Sequence, residues 1–144
     1  MTKNKYQHYL EGYRMMTKLE SKLNKMAEAH GVSFSQYLLL KQIIEEHCDE
    51  PTRLADVFGV SRPAMSRKLN NLYRNEMIIK KRNSTEADQR KVILEVTLAG
   101  EVAVKALDKR YHEWFEQDIQ ADAAYVALFD QFVQRTTQLV ITSA

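Results

Sequence analysis

Thr52-Arg53-Leu54-Ala55-Asp56-Val57-Phe58-Gly59-Val60-Ser61-Arg62-Pro63-Ala64-Met65-Ser66-Arg67-Lys68-Leu69 reads as a short helix, a glycine turn and a capped second helix with a basic outer face. Pro51 suits a first helical turn, so the short helix is expected over Pro51 to Phe58, with Leu54, Val57 and Phe58 turned inward. Gly59 makes the turn. Ser61 is a natural N-cap for the next helix, and Pro63 is tolerated in its first turn, where the missing N–H costs no bond. Met65, Leu69 and Leu72 form one apolar stripe. At about 100° per residue, a different half-circle holds Arg62, Pro63, Ser66, Arg67, Asn70, Asn71, Tyr73 and Arg74. A helix with one core stripe and such a polar, basic face is suited to lie in a groove of duplex DNA.

Outward from this pair of helices the patterning stays simple. Met77–Arg82 and Lys91–Val96 are rich in β-formers and flank the turn-forming run Asn83–Asp88, which predicts a hairpin with a longish loop. Upstream, Tyr6, Tyr9, Tyr13, Met16, Leu23 and Met26 fall at helical spacing, giving a long first helix from Tyr6 to Ala29 with Gly31 as its stop. Ser35 is read as the cap of a second helix over Gln36–His47. Its Tyr37, Leu38, Leu40, Ile43 and Ile44 are apolar over most of the circumference and are expected at the centre of the core. Downstream, Thr97 is read as the cap of a fifth helix reaching Asp118, with Leu98, Val102, Ala106, Leu107, Tyr111, Trp114 and Phe115 inward. Asp122 caps a sixth, in which Tyr125, Leu128, Phe129, Phe132, Val133, Thr136, Leu139 and Val140 recur at helical spacing.

Composition narrows the class. In 144 residues there are only 4 Gly and 2 Pro, so few helix breakers interrupt a mostly α-helical chain. The longest apolar run, Ala123–Phe129, falls far short of the ~20 residues a membrane helix needs. Met1–Lys5 is polar, no secretion signal is expected, and the single Cys48 supports no internal disulfide framework. The cytoplasm is the expected compartment. Net charge is +2 overall, but the segment from Pro51 to Thr97 carries ten Lys/Arg against five Asp/Glu. A basic middle between near-neutral or acidic flanks suggests a polyanion-binding module on a scaffold with another task. A glycine-rich phosphate loop, a Ser/His/Asp constellation and a metal-ligand motif are all missing from the sequence, so neither catalysis nor a bound cofactor is expected.

The order of elements resembles the MarR family of winged-helix transcriptional regulators. The specific part of the resemblance spans Leu54 to Gly100: Leu54-Ala55, Val60-Ser61-Arg62, Leu69-x-x-Leu72, then Asp88-x-Arg90 and Leu94-x-Val96-Thr97-x-x-Gly100. Met77-Ile78 stands where the family usually has Gly-Leu or Gly-Ile, and Glu76-Met77 replaces the usual glycine, so a less sharply terminated helix is expected there. The resemblance implies a mainly α fold with a small β-hairpin wing, that is, a winged helix-turn-helix plus a helical dimerisation region. It implies three parts: a dimerisation helix in 1–34, a DNA-binding domain in 35–97, and linking and dimerisation helices in 98–144. It also implies a homodimer whose fourth helices enter successive major grooves of a pseudo-palindromic operator. Release of a repressor by a small-molecule effector is the expected control.

The residues expected at DNA are Ser61, Arg62, Pro63, Ser66, Arg67, Asn70, Arg82, Asp88, Arg90 and Lys91. Arg donates two bonds to guanine O6 and N7, and Asn pairs with adenine N6 and N7. Ser61 can place backbone N–H groups near a phosphate. Arg90 is read as a minor-groove finger and Asp88 as the carboxylate that holds it. Lys80, Lys81, Arg82 and Lys91 are read as phosphate contacts, which position without specifying. The plainer alternative is a solvated helix face and an exposed hairpin charge pair. Tyr9, Tyr13, Tyr37, Tyr111 and Trp114 are candidates for an effector pocket, with core packing as the plainer reading. Two other functions stay open on the sequence. One is a winged-helix module that binds a protein and no DNA. The other is a regulator of the same fold that responds through Cys48 or through His8, His30, His47 and His112, although none of these lies in a tight ligand motif.

Overall fold

The computed structural model describes residues 2, 4–82 and 91–142. Its elements are α1 (Lys5–Glu28), α2 (Phe34–Glu46), α3 (Pro51–Phe58), α4 (Arg62–Arg74), β1 (Ile78–Arg82), β2 (Val92–Val96), α5 (Leu98–Trp114) and α6 (Ala123–Thr142), with a π-helical turn, Phe115–Ile119, after α5. This is the expected mainly α fold with one hairpin. The chain divides into two compact units, Met1–Leu107 and Asp108–Ala144.

In the first unit, capping sets where the helices begin. Asn4 and Gln7 bond reciprocally at the start of α1, the Asn4 side chain accepting from the Gln7 N–H at 2.8 Å. Ser33, not the expected Ser35, caps α2: its Oγ accepts from the Gln36 N–H at 3.0 Å, and Gln36 Oε1 accepts from the Ser33 N–H at 2.9 Å. Only Ser33 has a glutamine three residues on, so it alone can satisfy two orphan donors at once. Ser35 instead lies inside the helix and accepts from Lys68 Nζ at 2.8 Å, tying α2 to α4. Asn24 Oδ1 accepts from the Phe34 N–H at 2.8 Å and ties α1 to the same corner.

The core of this unit joins α2, α3, α4 and the hairpin. Leu39, Leu40, Leu54, Met65, Leu69, Leu72, Ile78 and Leu107 are its largest fully enclosed side chains. The Met65, Leu69 and Leu72 stripe is buried as the sequence predicts. Tyr37, Leu40 and Ile43 are buried too, whereas Leu38 is on the exposed side and Leu39 takes a core place.

Two further corrections have one cause. On α3 the buried pair is Leu54 and Ala55, and Val57 is exposed. On α5 the buried set within the unit is Gly100, Ala103, Val104 and Leu107, while Leu98 and Val102 are exposed. Residues two apart on a helix point about 200° apart, so burial of Ala55 sends Val57 outward, and burial of Gly100 sends both Leu98 and Val102 outward. On α5 the inward side includes the close approach of Gly100 to the Met77 backbone, and on α3 Leu54 is buried beside Ala55.

The hairpin is antiparallel, with Ile78 opposite Val96, Lys80 opposite Leu94 and Arg82 opposite Val92. Side chains alternate across a strand, so Ile78, Lys80 and Arg82 share one face with Leu94, the face that closes on the core through Ile78 and Leu94. The Leu94 N–H donates to the Asp49 carbonyl at 2.8 Å, fastening β2 to the α2–α3 connection.

The second unit is built differently. The π-helical turn is closed by the Gln120 N–H donating to the Phe115 carbonyl at 2.8 Å, so the α-helix stops at Trp114 rather than continuing to Asp118. Asp122 caps α6, its Oδ1 accepting from the Tyr125 N–H at 3.0 Å, as expected from the sequence. Among the described residues of this unit none is buried, and Tyr125, Leu128, Phe129, Phe132, Val133, Leu139, Val140 and Ile141 are all exposed.

Candidate nucleic-acid interface

The site is assembled by three local devices. The first is the turn between α3 and α4. Gly59 adopts φ 63°, its N–H bonds Asp56, and the Val60 N–H bonds the Ala55 carbonyl at 3.0 Å. A helix closed in this way needs a left-handed residue, which only glycine supplies without penalty. The second device is Ser61, which caps α4 by accepting from the Ala64 N–H at 3.2 Å. The third is the end of α4. There the Met77 N–H bonds the Leu72 carbonyl at 3.0 Å and the Glu76 N–H bonds the Tyr73 carbonyl at 3.0 Å, with Glu76 at φ 58°. The expected blurring of this helix end does not occur. A glutamate takes the left-handed place that glycine usually fills, and the helix still stops sharply.

Thr97 and Gly100 explain why the hairpin returns to this corner. Thr97 Oγ1 donates to the Glu76 carbonyl at 2.7 Å, and the Thr97 N–H donates to the Met77 carbonyl at 3.0 Å. The same hydroxyl accepts from the Gly100 N–H at 3.1 Å, which caps α5. One side chain therefore joins the end of α4, the hairpin and the start of α5.

On this frame Ser61, Arg62, Pro63, Ser66, Arg67 and Asn70 are all exposed along α4, together with Asn71, Tyr73 and Arg74. Among the described residues no carboxylate pairs with Arg62, Arg67 or Arg74. Arg82 is exposed at the end of β1. Arg90 and Asp88, the expected wing finger and its holder, lie outside the described residues.

The hairpin lysines are less free than the sequence suggests. Lys80 Nζ donates to Asn70 Oδ1 at 2.5 Å and stands 5.5 Å from the centre of the Tyr73 ring. Lys81 pairs with Glu95 at 2.5 Å, and Lys91 pairs with Glu50 at 3.4 Å. Glu50 makes no side-chain cap on α3. Its carboxylate is turned to the hairpin, an interaction across about forty residues that no local spacing announces. A cavity of about 480 Å³ opens between these parts, lined by Glu50, Pro51, Ser66, Leu69, Lys80 and Lys91 among others.

The five aromatic candidates for an effector pocket are not lining residues of that cavity. In the first unit, Tyr9 and Tyr13 are exposed and meet edge to face at 5.1 Å, while Tyr37 is buried in the core beside Phe34. The hydrogen bond between the Tyr9 and Tyr13 hydroxyls, followed by the like charge that the Tyr13 phenol would carry, raises the Tyr9 pKa. In the second unit, Tyr111 and Trp114 are half-buried, and burial raises the Tyr111 pKa. Cys48 is buried. Among the described residues no group of three His, Cys, Asp or Glu could hold a metal ion, and no helix is long and apolar enough to cross a membrane.

Residues 21–107, more than half of the chain, match the family model for the transcriptional regulator SarA/Rot. The chain belongs to the SarA/Rot family of transcriptional regulators. The matched stretch covers α2, the helix-turn-helix, the hairpin and the first-unit part of α5. Comparison with curated proteins finds no significant relative. Several solved structures share the fold at low identity. An E. coli MarR mutant complexed with operator DNA is 18% identical, with a TM-score of 0.73 over 93% of this chain and 99% of that one. The S. aureus MepR–DNA complex is 17% identical, with a TM-score of 0.77 over 95% and 99%. S. aureus MarR in complex with salicylate and kanamycin is 16% identical, with a TM-score of 0.69 over 96% and 91%. This SarA/Rot member is thus a winged-helix transcriptional regulator with a MarR-like fold, as the sequence resemblance implies.

Proposed function

We propose that the protein is a homodimeric, sequence-specific DNA-binding repressor that reads a pseudo-palindromic operator with two copies of α4. The observation that carries this reading is the uninterrupted exposed face of Arg62, Ser66, Arg67 and Asn70, placed beside the lysine-bearing strand β1. Arg62 and Arg67 supply bidentate donors for guanine, Ser66 and Asn70 supply shorter-range contacts, and the Ser61 end of α4 offers backbone N–H groups to a phosphate. Arg82, Lys91 and, in the wing, Arg90 with Asp88 extend the contact to the backbone and minor groove. The MarR and MepR structures solved with DNA support the same use of the fold.

Dimerisation rests on the apolar helices that the single chain leaves uncovered. Tyr6, Tyr9, Tyr13 and Met16 on α1 are exposed, as are Leu128, Phe129, Phe132 and Val133 on α6. Apolar surface of this kind on a water-soluble regulator is normally closed by a partner, and twofold pairing matches a palindromic site. Control follows if a small molecule favours a dimer with mis-spaced reading helices. The MarR structure with salicylate and kanamycin supports such a ligand, and either the cavity at Lys80 and Lys91 or the tyrosines of α1 could receive it. The cytoplasm is the compartment in which this task is performed, and no catalytic step is assigned.

Fluorescence anisotropy with genomic fragments tests the reading. Arg62→Ala and Arg67→Ala should each weaken specific binding by about 1–3 kcal/mol per site. If a dimer makes about six to ten phosphate contacts, its affinity should fall roughly 10³- to 10⁵-fold between about 50 and 200 mM salt. A flat salt response, or arginine variants that bind as tightly as the parent, would remove DNA as the partner.

A further inference from the structure

Asn70 stands in the middle of the exposed α4 face, where an asparagine would ordinarily pair with adenine. That pairing uses both ends of the amide, the oxygen accepting from N6 and the NH2 donating to N7. Here the oxygen is already engaged. Lys80 Nζ lies 2.5 Å from Asn70 Oδ1. An ammonium group has donors and no acceptor, so the amide can face it only with its oxygen, which fixes the orientation of the whole group. The lysine is itself held from two sides. Its strand is anchored by Ile78, buried on the same strand face, and its charge lies 5.5 Å from the centre of the Tyr73 ring, one turn along α4 from Asn70.

We propose that Lys80 sets the base preference of Asn70: by holding the amide oxygen, it leaves Asn70 to present its NH2 group to DNA and so to select guanine over adenine. Guanine shows two acceptors in the major groove, O6 and N7, whereas adenine shows N7 beside the N6 amino donor. An adenine amino group approaching Asn70 would meet the like donors of Lys80 and an oxygen with one of its two lone pairs already taken. Guanine meets donors only. Lys80 is thus a positioning residue that acts through Asn70. This inference rests on α4 being the DNA-reading helix, as proposed above.

Selection from a randomised duplex library, with the full-length protein, separates the possibilities. Asn70→Ala should flatten the preference at one position of each half-site and so identify the base that Asn70 reads. The parent should select guanine there. Lys80→Met, which keeps the length and removes the donor, should shift that position toward adenine by about tenfold, while Lys80→Arg, which restores a donor, should return it to guanine. Asn70 and Lys80 are both exposed, so the three variants should keep the parent's melting temperature. Parent-like guanine preference in Lys80→Met, or adenine preference in the parent, overturns the proposal and leaves the DNA-binding reading intact. A parent protein that enriches no sequence overturns both.

Discussion

Gly100 lies against the backbone of Met77. A Cβ placed on Gly100 would fall 2.5 Å from the Met77 carbonyl oxygen and 2.6 Å from Val96 Cγ1. The Met77 oxygen already accepts the Thr97 N–H, so it cannot retreat without breaking the bond that ties Thr97 to the segment after α4. The glycine of the Thr97-x-x-Gly100 pair is therefore required for space, and its φ does not lie in the left-handed region.

Gly100→Ala should destabilise the protein by about 1–3 kcal/mol, the usual cost of forcing a methyl into a filled site. Urea unfolding followed by circular dichroism measures it. A loss under about 0.5 kcal/mol would show that the contact relaxes freely, against the range expected for overpacking.

Glu76 and Gly59 make a matched pair of opposite sign. Both close a helix from the left-handed region, at φ 58° and 63°. A non-glycine residue there carries roughly 1–2 kcal/mol of strain, partly offset because glycine makes the unfolded chain more flexible. Glu76→Gly should thus stabilise by about 0.5–1 kcal/mol, and Gly59→Ala, which has open space around it, should destabilise by a similar amount. Thermal melts of both variants shifting in the same direction would contradict this account.

Ser33→Ala should cost about 1 kcal/mol, because it removes one arm of the reciprocal cap on α2. Ser35→Ala removes only the Lys68 contact between two half-buried groups, so its loss should be smaller. Equal losses, or a larger loss at Ser35, would return the cap to Ser35.

Cys48 is only 2% exposed. A charged aromatic disulfide reagent should therefore modify it slowly in the native protein and rapidly once denaturant opens the first unit. Stoichiometric labelling within seconds under native conditions would sink the buried-thiol description and bring back thiol-based sensing as a reading of this chain.

The sequence alone determined the elements whose causes are local. Pro51, Gly59 and Ser61 delimit α3 and start α4, and the spacing of Met65, Leu69 and Leu72 puts the polar residues of α4 on the opposite side, because capping and the 3.6-residue repeat act within a few residues. Ser33 was legible by the same rule, since Gln36 stands three residues on. The tertiary structure decided what depends on neighbours distant in the chain. Gly100 packs inward because Met77 is there, which rotates Leu98 and Val102 outward. Glu50 turns to Lys91, and Lys80 turns to Asn70, because strand pairing fixes which face of β1 meets α4. The register of a hairpin and the close approach of two backbones arise only when the chain folds back on itself, and no periodicity along one segment contains them.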